Sequence, residues 1–168
     1  YHYLHLYTGA HTFMTGTISE RLEKIGITLP PAPAAQGNYV AYVVSGNLVF
    51  LAGQIALVDG VLQHAGRVPD TVSLEDAQDC ARLCAINLIT QLNAACNGDL
   101  ERVVRCVKLG GFVACDPSFT DHPKVINGAS DLMAAVFAEK AAHARFAVGA
   151  PSLPLGASVE VDAVFEIR

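Results

Sequence analysis

Two charges stand where a sheet protein would otherwise place carbon. Arg145 lies in the run His143-Ala144-Arg145-Phe146-Ala147-Val148-Gly149, and Glu160 lies in Val159-Glu160-Val161-Asp162. A charge set into an apolar strand needs a partner or a role. Glu160 and Asp162 are two residues apart, so on a strand their side chains share a face. Paired carboxylates can carry acid–base chemistry, and an exposed polar face is the plainer reading. Arg145 changes that balance. A guanidinium on a neighbouring strand would either pair with Glu160 as a structural ion pair or receive a ligand carboxylate bidentately. On chemistry alone, both readings stay open.

Other chemistries lack their motifs. Gly46 and Gly110-Gly111 are isolated, so there is neither a phosphate-binding loop nor a dinucleotide fingerprint. No Gly-x-Ser-x-Gly elbow occurs. His64, His122 and His143 are far apart and lack metal-ligand spacing, which reads as surface or loop histidines. His2, His5 and His11 fall in Tyr1–Phe13, a stretch read as a leader or appended extension rather than a metal site. The five cysteines, Cys80, Cys84, Cys96, Cys106 and Cys115, form no Cys-x-x-Cys pair. Their odd number and apolar neighbours predict buried free thiols in a reducing, cytoplasmic setting, with no structural metal.

A net charge of −5 with no basic run disfavours nucleic acid as a partner. No 18-residue apolar span predicts a membrane segment. Hydrophobic residues make up 52% of the 168 positions and charged residues 16%, low enough in charge to expect a homo-oligomer that buries surface against its copies.

The elements that must position Arg145 and Glu160 are legible in the apolar periodicity. A short helix is expected over Thr17–Ile25, capped by Thr17 or Ser19 and stopped by Gly26. Residues 14–32 then form an N-terminal helix and a Pro-rich linker, followed by one domain over 33–168. Strands are expected over Tyr39–Ser45 and Leu48–Ala52, and a hairpin at Asp59-Gly60. Ser73 opens a long helix whose apolar stripe runs from Ala77 to Ala95, closed by Gly98. Cys106–Cys115 returns to strand character. A second helix begins near Asp121 with Pro123 in its first turn, and its inner stripe is Ile126, Ala129, Met133, Val136, Phe137 and Lys140. Strands over Arg145–Val148 and Ser158–Ile167 follow. The order predicts an α+β sandwich whose sheet has one helix-covered face.

Five motifs, in order and spacing, resemble the Rid/YjgF family, whose members include imine deaminases and carry the older label endoribonuclease L-PSP. They are Asn38-Tyr39-Val40, Leu51-Ala52-Gly53-Gln54-Ile55, His143-Ala144-Arg145, Leu153-Pro154 and Val159-Glu160-Val161. The similarity runs from about Pro33 to Ile167, and Asn127-Gly128-Ala129-Ser130 is similar to a subgroup with a longer second helix. The resemblance implies a chorismate-mutase-like α+β sandwich, a mixed sheet with two helices on one face, assembled as a homotrimer with clefts between subunits. It implies hydrolysis of small 2-imino or enamino acids to 2-oxo acids and ammonia, without metal or cofactor. Arg145 would grip the substrate carboxylate and Glu160 would hold the attacking water. Tyr39, Gln54, Asn127, Phe146 and Ala147 would border the substrate. An imine carbon is electrophilic enough that positioned water suffices. Phe146 stands where many members have a small polar residue, Ala147 where the best-known deaminases have cysteine, and Ala52 where Ser or Thr is common. These departures imply a more apolar pocket. The alternatives are a non-catalytic protein that binds small carboxylates in the same cleft and, third and disfavoured by the acidic balance, a ribonuclease.

Overall fold

The computed structural model describes residues 15–34 and 37–168, so the leader expected over Tyr1–Phe13 lies outside the described residues. The first helix, α1 (Ile18–Lys24), is fixed by a capping box. Thr17 accepts from the backbone N–H of Glu20, whose side chain accepts in return from the backbone N–H of Thr17. Ile18 and Leu22 join the main core, and the Arg21 guanidinium donates to the carbonyl of Val136.

Five strands make one sheet: β1 (Tyr42–Ser45), β2 (Leu48–Ile55), β5 (Val103–Ala114), β6 (Ala144–Ala150) and β7 (Val159–Ile167). Their order is β1-β2-β7-β5-β6. Only β5 and β6 run parallel; the remaining pairs are antiparallel. A small separate hairpin joins β3 (Leu57–Val58) to β4 (Val61–Leu62). Asp59 and Gly60 turn it with φ of 50° and 77°, the double positive pair that a tight hairpin matching strand twist requires.

Two helices cover one face. α2 (Leu74–Ala95) is capped by Ser73, which accepts from the Asp76 N–H, and it lies over β2 and β7. α3 (His122–Phe137) begins after Asp121 with Pro123 in its first turn and is the crossover between β5 and β6. The mixed sheet with both long helices on one side is thus as the sequence predicts. β7 shows its alternation plainly: Val159, Val161, Ala163, Phe165 and Ile167 are buried. Phe165 meets Phe137 of α3 at 5.3 Å between ring centroids, and both are fully buried. Each such ring contributes roughly 2–3 kcal/mol by area removed from water. All five cysteines are free and buried, as their apolar settings predict.

Three local expectations are corrected. Tyr39 precedes the first strand, because β1 pairs with β2 only from Tyr42 onward. The second strand runs to Ile55, beyond the Ala52 expected, because a bulge between Leu51 and Gln54 lets it continue pairing with β7. Lys140 lies outside the α3 stripe, since the helix ends at Phe137 and a 3-10 turn (Ala138–Ala141) follows.

Among the described residues, no helix covers the other face of the sheet. Cross-strand register places Val43, Phe50, Val164 and Lys108 in one row, and Ile55, Glu160, Phe112 and Val148 in another. Val43, Phe50, Phe112 and Val148 are exposed. An open apolar face of this size is unusual for a monomer. Among the described residues, no helix is long and apolar enough to cross a membrane.

Candidate functional site

The sheet order separates the two charges that adjoin in sequence. β6 and β7 are consecutive along the chain, yet β5 lies between them. The expectation that Arg145 and Glu160 sit on neighbouring strands is therefore corrected. Arg145 is in register with Leu109 and, through it, Ala163, whereas Glu160 is in register with Phe112. Two strand spacings across and three residues along put their backbones roughly 14 Å apart. They also point to different sides. Arg145 reaches α3 on the covered face, while Glu160 alternates with the buried Val159 and Val161 and so points to the open face.

Around Arg145, α3 supplies a set of neutral acceptors. Nη1 donates to Asn127 Oδ1 at 2.9 Å and to Ser130 Oγ at 3.1 Å, and Nη2 donates to the Pro123 carbonyl at 3.4 Å. Asn127 and Ser130 are three apart on the helix, so they present adjacent oxygens to one guanidinium. His143 completes the support. Its Nδ1 faces the Ala141 carbonyl, which can only accept, so Nδ1 carries the proton. Nε2 then accepts from the Ser130 hydroxyl at 3.0 Å, leaving the Ser130 oxygen to accept from Arg145. The half-buried guanidinium is held in place without a carboxylate, and among the described residues its charge is not neutralised by any ion pair. Ala147 lies two residues along β6 and packs against the core. Phe146 points to the opposite face. There it closes over Gly110, contacts Phe112 edge-on at 5.3 Å, and carries Lys108 Nζ 5.3 Å from its ring centre.

Glu160 belongs to a second locale. A cleft of about 260 Å³ is lined by Tyr39, Gly53, Gln54, Ile55, Leu57, Gln91, Pro154, Leu155 and Glu160, with Pro33, Ala34 and Ala41. Gly53, at the β2 bulge, makes room for the carboxylate: a Cβ there would stand 2.2 Å from Glu160 Oε1. Burial, with a smaller push from the negative charge of Asp162, raises the Glu160 carboxyl above its ordinary pKa. Burial raises Asp162 as well, against the lowering effects of the Gly110 backbone and Lys108. Glu160 forms no ion pair among the described residues. Gln54 turns back to donate to the Ala52 carbonyl at 3.3 Å, and Tyr39 is exposed at the mouth.

The structure therefore gathers Tyr39, Gln54 and Glu160 in one cleft, and Arg145 and Asn127 in another locale, with Ala147 beside the latter. Ser130 and His143 were not singled out as site residues from sequence, although both fall within quoted motifs. The signal available was the three-residue spacing of Asn127 and Ser130 on a helix. No group of three or more His, Cys, Asp or Glu able to hold a metal occurs among the described residues.

A five-stranded mixed sheet with two helices on one face, carrying an arginine on its edge strand and a glutamate in a bulged cleft, defines an α+β sandwich. Residues 19–167 match the model of the YjgF/chorismate mutase-like family, provisionally described as endoribonucleases. The chain belongs to the YjgF/Rid family. It is 44% identical over 155 residues to Protein TCP17 of Trypanosoma cruzi, covering 92% of this chain and 96% of that protein. It is also similar to the crystal structure of Atu1372 from Agrobacterium tumefaciens, a protein of unknown function. That match has 47% identity and a TM-score of 0.84, and covers 90% of this chain and 92% of the other. A Shewanella oneidensis structure with the provisional name endoribonuclease matches at 32% identity and a TM-score of 0.87, covering 90% of this chain and all of the other.

Proposed function

We propose that this protein hydrolyses small 2-imino and enamino acids to 2-oxo acids and ammonia, in a cleft that two copies of the chain complete together within a homotrimer. The observation that carries this reading is the pair of uncompensated charges. Arg145 is held by three neutral oxygens, and Glu160 stands in a partly apolar cleft without a cation. A structural ion pair would have consumed both. Held apart within one chain, they become one site when the β6 edge of one copy meets the Glu160 cleft of the next. The exposed apolar face supports association of that kind.

In the reaction, Arg145 binds the substrate carboxylate and fixes the imine carbon in the cleft. Glu160 accepts a proton from the water that attacks this carbon, and returns it to the departing nitrogen. Glu160 then relays the adduct's hydroxyl proton to the same nitrogen as the C–N bond breaks, leaving a 2-oxo acid and ammonia. A carboxyl raised above its usual range is nearer the working pH and is the better proton carrier. Leu57, Ile55, Pro154 and Leu155 favour an apolar substrate side chain. The relatives' provisional endoribonuclease name fits this cleft less well, because its charged lining residue is the acidic Glu160, which would repel a phosphodiester.

The test is ammonia release from 2-aminoacrylate generated in situ by a dehydratase. Wild-type protein should accelerate release over buffer, and Arg145→Ala should remove the acceleration. Wild-type protein indistinguishable from buffer overturns the proposal; saturable binding of small 2-oxo acids without turnover would replace it with the carrier reading.

A further inference from the structure

A second constellation lies beyond the end of β5, beside the last residues of β6, and plays no part in the reaction above. Cys115 Sγ is 3.4 Å from His122 Nε2, across the junction between the end of β5 and the first turn of α3. Both residues line a cavity of about 640 Å³ with Phe119, Pro117, Gly149, Ala150, Pro151 and the Arg67–Asp116 pair. Phe119 meets the imidazole edge-on, with centroids 5.4 Å apart and planes at 90°, which fixes the ring's direction. Gly149 borders the two reactive atoms on the β6 side, where Cys115 keeps 5% of its surface exposed. A Cβ there would stand 2.8 Å from Nε2 and 2.9 Å from Sγ, so any side chain would seal the pair.

We propose that Cys115 and His122 form a nucleophile–base pair that adds to small, uncharged, soft electrophiles of the activated-alkene class. As the alkene enters, Nε2 takes the Sγ proton and sulfur attacks the β-carbon to form the C–S bond. The resulting carbanion takes the proton back from the imidazolium at its α-carbon. Atoms and electrons balance without oxidant or cofactor.

The ligand class follows from the walls. Arg67 sits 3.8 Å from Asp116 and also donates to the Cys115 carbonyl at 3.0 Å, so the mouth offers no unpaired cation for an anion. The remaining lining is Phe, Pro, Ala and Gly. Burial holds the Cys115 thiol above its ordinary pKa, so the resting group is a thiol and the neighbouring base is what activates it. Among the described residues, none of the other four cysteines has an imidazole within hydrogen-bond distance. Cys84 is raised far more strongly, Cys106 is pushed up to about 12, and both have no exposed surface.

The test does not depend on deaminase activity. Native protein is treated with limiting N-ethylmaleimide for timed intervals, and each cysteine is followed by peptide mass mapping. Cys115 should react at least about tenfold faster than Cys80, Cys84, Cys96 and Cys106 near neutral pH. His122→Gln should slow it by at least about tenfold, a difference that closes at high pH where hydroxide replaces the base. His122→Asn serves as a second variant, and circular dichroism establishes that each folds. Cys115 reacting no faster than the other cysteines overturns the proposal, as does an equal rate in wild type and a folded His122 variant at every pH.

Discussion

Gly53→Ala perturbs the site through a single methyl group. The added Cβ would lie 2.2 Å from Glu160 Oε1, 3.1 Å from its carboxyl carbon and 3.2 Å from Cγ. Ordinary contact begins near 3.4 Å, so the oxygen must retreat by about 1.2 Å. The backbone need not follow, because the crowded atoms are the far end of a side chain bordering an open cleft. Stability should therefore change by no more than about 1–2 kcal/mol, within the range of mild overpacking. Catalysis should suffer more. Displacing a positioned group by about 1 Å costs on the order of a hundredfold, equivalent to roughly 2.7 kcal/mol at the transition state. The assay pairs ammonia release from 2-aminoacrylate with thermal unfolding of the same preparation. A folded Gly53→Ala protein with wild-type kcat/KM would refute the placement of Glu160 as the group that holds the water.

Four further outcomes follow from the same geometry. Ser130→Ala removes both an acceptor for Arg145 and the link to His143, and should raise KM several-fold while leaving kcat within about twofold; an unchanged KM would show that the relay does not set the arginine's position. Asp162 and Glu160 have raised carboxyl pKa values in the fold, so the native state binds their protons more tightly than the unfolded chain. Their stability contribution is complete below the unfolded pKa and is lost as pH rises through the folded one. Asp162→Asn should accordingly raise Tm at pH 7, and the gain should vanish toward pH 4; a gain confined to acid would reverse the sign. Phe50→Glu places a charge on the open sheet face and should convert the proposed trimer to smaller species in sedimentation velocity, an unchanged sedimentation coefficient arguing against that face as an interface. Phe165→Ala empties the centre of the core and should cost about 3–5 kcal/mol in urea unfolding.

Much of this was legible in the residues. The strict alternation of Val159 to Ile167 marks a strand with one buried face, and Asp59-Gly60 marks the separate β3–β4 hairpin, because both signals are local. Ser73 and Pro123 mark helix starts for the same reason. The spatial relation of Arg145 to Glu160 was not legible. Chain order suggests adjacent strands, but α3 carries the chain over to lay β6 parallel to β5, and β7 then returns to the far side of β5 to pair with β2. Strand order is a long-range property that no local period encodes. The bulge at Gly53 was hidden likewise, since the crowding that requires glycine comes from Glu160, 107 positions later. His143 read as a loop histidine because its role depends on Ser130, a partner supplied by another element.

Arg145 and Glu160 are proposed to act together only across a boundary between copies. Mixing Arg145→Ala with Glu160→Gln protein under conditions that permit subunit exchange tests it most directly. Each variant alone should release ammonia from 2-aminoacrylate no faster than buffer. After equal, random exchange, about a quarter of the clefts would pair an intact arginine with an intact glutamate, and about a quarter of wild-type activity should return. If the mixture exchanges subunits yet stays as inactive as its parents, the two residues do not meet across an interface.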